Sequence, residues 1–131
     1  MKYTVPWGDE ELDLDLPDDW EVQILKSKES PPVIDNIEEE MRKQLKNPIG
    51  IEPFSEVLQG VNEKGGSIAI VVDDRTRPTP VASVTGPLLK ILEENNINLD
   101  KVQLYVANGI HRLMEDREIK QRVGESVFKK I

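Results

Sequence analysis

The chain has no cysteine and a single histidine among its 131 residues. Without cysteine there is neither a disulfide frame nor a thiolate zinc site, and one imidazole cannot close a transition-metal shell. Long apolar runs are also missing: the longest, Ile68 to Val72, is far short of a membrane span. The first residues carry no apolar stretch behind Lys or Arg that reads as a signal peptide. These absences point to a reducing cytoplasm and away from membranes. A cationic excess is absent too. The balance of 17 Lys and Arg against 25 Asp and Glu gives a net charge of −8, a field that repels phosphodiester backbones and argues against nucleic acid as a partner. Neither a Walker loop nor a complete G-x-G-x-x-G is present, which disfavours an ordinary mononucleotide or NAD site.

What is present has the size of one domain with a sizeable core. Residues 1–33 read as a β-hairpin region. Tyr3, Val5 and Trp7 lead to a Gly8-Asp9 turn, and Leu12, Leu14 and Leu16 follow at a spacing of two, which predicts a hairpin with one face buried. Trp20, Val22 and Ile24 keep the period and predict a third short strand, with a loop from Lys26 to Pro32. Residues 34–131 read as an α/β core. Ile34, Ile37, Met41 and Leu45 are three or four apart, with acids early and bases late, as a helix dipole favours. Pro53 opens a second helix carrying Phe54, Val57, Leu58 and Val61 on one face, closed by Lys64-Gly-Gly66.

The run Ser67 to Asp73 predicts a strand covered on both faces, and hence a parallel sheet between helices. A helix over Pro80 to Asn95 follows, with Val81, Val84, Leu88, Ile91 and Leu92 inward and a kink at Gly86-Pro87. Lys101 to Ala107 alternates as a second strand, and a helix from about Glu115 to Val123 stops at Gly124. The fold class is therefore α/β: a Rossmann-like open parallel sheet flanked by helices, with the hairpin region in front. The tail from Glu125 to Ile131 ends on apolar and basic residues with no terminator, as though the next strand had been cut away, and in an excised domain apolar surface near Val127, Phe128 and Ile131 is expected to be exposed.

Two polar loops leave the ends of the two strands, and in a parallel sheet both fall on one edge. The first, Asp74-Arg75-Thr76-Arg77, is stiffened by Pro78 and Pro80. Arginine's planar fork suits the paired oxygens of a carboxylate or phosphate, and the Thr76 hydroxyl adds a contact. The second loop brings His111, a group able to take and return a proton near neutral pH, beside Gly109, which lets backbone come close to a ligand. Against this stands the plainer reading, in which Asp74 caps a turn, the arginines are solvated and His111 is a hydrogen-bonded loop residue.

Asp74-Arg-Thr-Arg77-Pro-Thr-Pro80 resembles the Asp-His-Thr-Arg-Pro-x-Pro loop of the nickel-dependent lactate racemase family. Asn108-Gly-Ile-His111-Arg resembles that family's Gly-x-His-Arg loop, and Lys46-Asn-Pro-Ile-Gly50 a segment that precedes them. The resemblance runs from about residue 35 onward in the same order. It implies the amino-terminal domain of a two-domain racemase or epimerase of small 2-hydroxy acids that uses a nickel pincer nucleotide, a pyridinium mononucleotide with thiocarboxylate arms. It further implies that Asp74, Arg75, Thr76 and Arg77 hold that cofactor and that Arg77 also meets the substrate carboxylate. His111 would be one of two acid–base residues, taking the hydroxyl proton while the α-hydride passes to the cofactor. Arg75 stands where the family has histidine. The second histidine, the lysine carrying the cofactor and the histidine ligating nickel match positions beyond Ile131, so the expectation is half a site, completed by a missing carboxy-terminal domain, and a piece inactive alone. A non-catalytic module that binds an anion or nucleotide is the alternative.

Overall fold

The computed structural model describes residues 1–25 and 33–131, and the loop expected at Lys26 to Pro32 lies outside them. Two compact units are distinguished, Met1–Pro32 and Val33–Ile131. In the first, β1 (Lys2–Trp7) pairs antiparallel with β2 (Glu10–Asp15), with Lys2 opposite Asp15 and Trp7 opposite Glu10. Gly8 turns the chain at φ +65°. The alternation is as expected, with Tyr3, Val5 and Leu14 half-covered on one side, but no described residue of this unit is buried. The expected third strand is absent. After Pro17 the chain turns, with the Trp20 N–H donating to the Pro17 carbonyl, and residues 20–25 run without a partner strand, leaving Trp20, Ile24 and Leu25 exposed.

The second unit begins with α1 (Ile37–Lys46) and α2 (Phe54–Glu63). Asn36 caps α1 by accepting from the Glu39 N–H, and three glutamates fill its first turn, where the dipole favours them. The helix buries no residue of its own and is fastened to a later helix by Arg42–Glu94 and Lys90–Glu38 ion pairs. Leu58 of α2, 1% exposed, enters the core.

A parallel pair forms the centre: β3 (Ile68–Asp73) and β4 (Val102–Ala107), joined through α3 (Val81–Glu94). Ile70, Val72 and Val102 point to one face and pack with Leu58, Val81, Leu89, Leu92, Val123 and Val127. The opposite face carries Val71 and Tyr105, exposed at 67% and 51%. The five-residue apolar run is therefore covered on one side only, because α2, α3 and the two helices after β4 all contribute to the same core. Among the described residues the parallel sheet has two strands, and the fold is mixed α/β with a small antiparallel hairpin.

α3 continues through Pro87, which cannot donate to the Ser83 carbonyl, while Thr85 and Leu89 join Val81, Ile91 and Leu92 inside. Thr85 is a buried polar residue the periodicity overlooked. Its hydroxyl proton is shared between the Val81 carbonyl at 2.9 Å and the Val123 carbonyl at 3.0 Å, which ties α3 to α4 (Asp116–Val123). Gly124, at φ +91°, ends α4 in a conformation a side chain would resist, and redirects the chain into α5 (Glu125–Phe128). The tail thus opens as a helix, and Val127 is 2% exposed while Phe128 and Ile131 pack against the core, contrary to the expectation of exposed apolar surface there. No helix among the described residues is long and apolar enough to cross a membrane.

Candidate functional site

The register of the parallel pair sets Asp73 opposite Ala107, so the segments that follow, Asp74 onward and Asn108 onward, leave side by side. Each turns sharply at once. In the first, the Asp74 carboxylate folds back on its own backbone: Oδ1 accepts the Thr76 N–H at 3.1 Å and the Thr76 hydroxyl at 2.6 Å. This is the local closure expected of an Asp at a turn. In the second, the His111 N–H donates to the Asn108 carbonyl at 2.9 Å, with Gly109 at φ +56°. Only glycine takes that conformation cheaply, and the turn swings His111 back over the sheet edge.

The result is a contact between the loops: His111 Nδ1 lies 2.6 Å from Asp74 Oδ2. Asp74 is 4% exposed, whereas the imidazole is half in solvent. Burial alone would raise the carboxyl's pKa, yet the Thr76 hydroxyl first, and then His111, hold it down to about 2. Asp74 is therefore ionised and can only accept, so Nδ1 of His111 is the nitrogen that donates to it, and Nε2 is the one left to exchange a proton. A carboxylate that fixes the tautomer and supports the imidazolium is the arrangement that turns a histidine into a directed base.

Around this pair the structure distributes the other sequence candidates unequally. Thr76 is spent on Asp74. Arg75 turns to α4, its Nη1 3.2 Å from Glu118 Oε1. Arg77 makes no ion pair among the described residues and is exposed, a guanidinium available to an anion. Glu118 and Arg122 were not singled out from the sequence. Glu118 receives Arg112 through two hydrogen bonds, at 2.7 and 2.8 Å, and is held at a pKa of about 2, chiefly by that arginine. Arg122 donates to the carboxylate and carbonyl of Asp73, whose other oxygen accepts from Thr79. Asn108 has a buried Oδ1 with no donor, next to the His111 turn. An unmet buried acceptor is costly and marks a place for a hydroxyl or N–H. The spacing from Glu115 to Glu118, a capping box, is the sequence signal that could have drawn attention to Glu118.

Only Arg77, exposed and without an ion pair among the described residues, suits the anionic part of a nucleotide or a hydroxy acid, while the imidazole suits the neighbouring hydroxyl. The site does not fit a metal by itself, since no group of three His, Asp or Glu side chains converges among the described residues.

Residues 7–131 match the lactate racemase N-terminal domain family. A lactate racemase of Thermoanaerobacterium thermosaccharolyticum is 32% identical over 124 residues, which cover 94% of this chain and 28% of that protein. A lactate racemase of Lactiplantibacillus plantarum is 31% identical over 90 residues, 69% of this chain and 20% of that protein. The chain spans less than a third of the length of these curated relatives. With both motif loops inside the matched region and the match extending over nearly all of its length, the chain belongs to the lactate racemase N-terminal domain family.

Proposed function

We propose that the chain is the amino-terminal part of a cytoplasmic racemase or epimerase of small 2-hydroxy acids, competent only with the remainder of a longer polypeptide that completes a Rossmann-like sheet and the other half of the site. The observation that carries this reading is the Asp74–His111 pair at 2.6 Å, formed between the two loops that bear the family's motifs.

Each residue then has a task. His111 Nε2 accepts the hydroxyl proton of the substrate and later returns it, and Asp74, kept ionised by Thr76, stabilises the imidazolium formed between those events. Arg77, unpaired, grips the substrate carboxylate with two parallel hydrogen bonds and so fixes which hydroxyl faces the imidazole. Asn108 Oδ1 offers an acceptor to a hydroxyl at the same edge. The loop from Asp74 to Arg77 lies against the cofactor; with Asp74 and Thr76 engaged on each other and Arg75 on Glu118, Arg77 is its open donor toward a phosphate or carboxylate. A nickel pincer nucleotide, if bound, would supply the hydride acceptor, which spares the carboxylate substrate the dianion that loss of its α-proton would create. A second acid–base residue on the opposite side, needed to handle both enantiomers, belongs to the rest of the protein.

The test is a racemisation assay of the full-length gene product carrying its cofactor, against enantiopure 2-hydroxy acids. Turnover that disappears in His111→Ala supports the proposal. Undiminished turnover in that variant removes His111 from the chemistry. A cofactor-loaded protein that binds carboxylates but turns none over is instead a non-catalytic anion-binding module.

A further inference from the structure

Among the acids of the described residues Glu118 stands apart because it holds an arginine from each motif loop. Its Oε1 lies 2.7 Å from Arg112 Nη2 and 3.2 Å from Arg75 Nη1, and its Oε2 lies 2.8 Å from Arg112 Nη1. Arg75 sits one residue after Asp74, and Arg112 one residue after His111. The two members of the dyad are thus each adjacent in sequence to an arginine drawn to the same carboxylate. That carboxylate is only 12% exposed, while both arginines are more than half exposed. The anchor is therefore the carboxylate: Glu118 is fixed on α4 by accepting the Glu115 N–H at 3.0 Å in a capping box, and α4 is fastened to the end of β3 by Arg122 on Asp73.

From this geometry we infer that Glu118 is a positioning residue, which clamps the loop of Asp74 to the loop of His111 and so holds the imidazole in its directed tautomer. Without the clamp, two turns on separate strands are joined at this edge only by the dyad's own hydrogen bond, whose histidine is half in solvent. With it, both turns are referred to one point on a rigid helix. The clamp also gives Arg75 a role that a histidine at that position would fill differently, since a guanidinium is always charged and can share a carboxylate oxygen with a second guanidinium. The catalytic meaning of the clamp rests on the acid–base reading of His111; its geometry does not.

In full-length protein labelled with 15N-histidine, the His111 imidazole is the signal lost in His111→Ala, and its protonated nitrogen is read directly. Wild type is expected to show a protonated Nδ1 and a bare Nε2. Glu118→Gln keeps a side chain that a capping box accepts, yet removes the charge that gathers the arginines. Helix content should be unchanged, while the ratio of closed to open dyad falls about two- to fivefold, as befits an exposed ion-pair cluster. The signals should move toward those of Asp74→Asn. Arg112→Gln, which leaves Glu118 and its cap in place, should move them the same way and decides the matter if Glu118→Gln does not fold. An imidazole spectrum identical to wild type in the folded variants overturns the inference. If the shift occurs but the full-length protein racemises nothing, the clamp stands and the racemase reading falls.

Discussion

On the face of β3 and β4 that meets the helices, Ile70, Val72 and Val102 are at most 9% exposed and belong to the apolar core cluster. At the edge where the same strands end, the covered side chains include Asp74, Glu118 and Arg122, each matched by a named polar partner. Leucine and valine packing is insensitive to direction, so the core needs only shape and volume. A buried carboxylate needs donors at fixed positions, so the edge constrains geometry as well as energy. The core holds the strands in register, and the edge converts that register into an Asp–His pair. Stability and function are therefore separable here, and three measurements bear on how far.

The largest separation should come from His111→Ala. The ring is half-exposed, but its removal takes one hydrogen bond from the buried Asp74 carboxylate, a cost of about 1–3 kcal/mol that the remaining Thr76 contacts and solvent at the edge should hold to the lower end. Racemisation by the full-length protein, on the proposal above, should fall by about 10²- to 10⁴-fold, the usual contribution of a positioned acid–base group. A thermal melt beside an assay checks both numbers. A large loss of stability would show that the edge also carries the fold.

The converse substitution lies in the core. Leu92, 1% exposed, should cost about 2–5 kcal/mol on truncation to alanine, seen as a lower denaturant midpoint. Val71 on the uncovered face of the same sheet is the control and should cost less than about 0.5 kcal/mol. Equal losses at the two positions would mean that the open face is covered in solution.

These contrasts mark what could be read in advance from the chain. Helices α1 to α4 and strands β3 and β4 were legible because their apolar spacing and start and stop signals are local, as with Pro53 before α2 and Gly124 after α4. The third strand at Trp20 was not, since alternation states only that a segment can pair, and a partner must come from elsewhere in the chain. Coverage of Val71 failed for the same kind of reason: an apolar run fixes a strand, while the number of helices on each face is a property of the whole assembly. In the site, Asp74 and His111 were legible as types on one edge, and the parallel register brought them to 2.6 Å. Glu118 was not, because it sits on a helix among other acids and becomes distinctive only when two arginines reach it.

The smallest effect, and the one that sharpens the contrast most, is the response to acid. Asp74 and Glu118 both have their carboxyl pKa values held down to about 2, by Thr76 and His111 in one case and chiefly by Arg112 in the other. A carboxylate with a lower pKa in the folded state than in the unfolded chain stabilises the fold while both states are ionised. That contribution is complete above the ordinary carboxylate range and is lost as pH falls from about 4 toward 2, when the unfolded chain takes up protons the folded one still refuses. Stability measured across that window should therefore decline. Asp74→Asn and Glu118→Gln should each flatten the decline, and Leu92→Ala should lower the whole curve without changing its slope. That flattening assigns part of the acid response to the edge, and a slope unchanged in both edge variants would place it with other depressed carboxylates, among them Glu38, Glu40, Glu94 and Glu125.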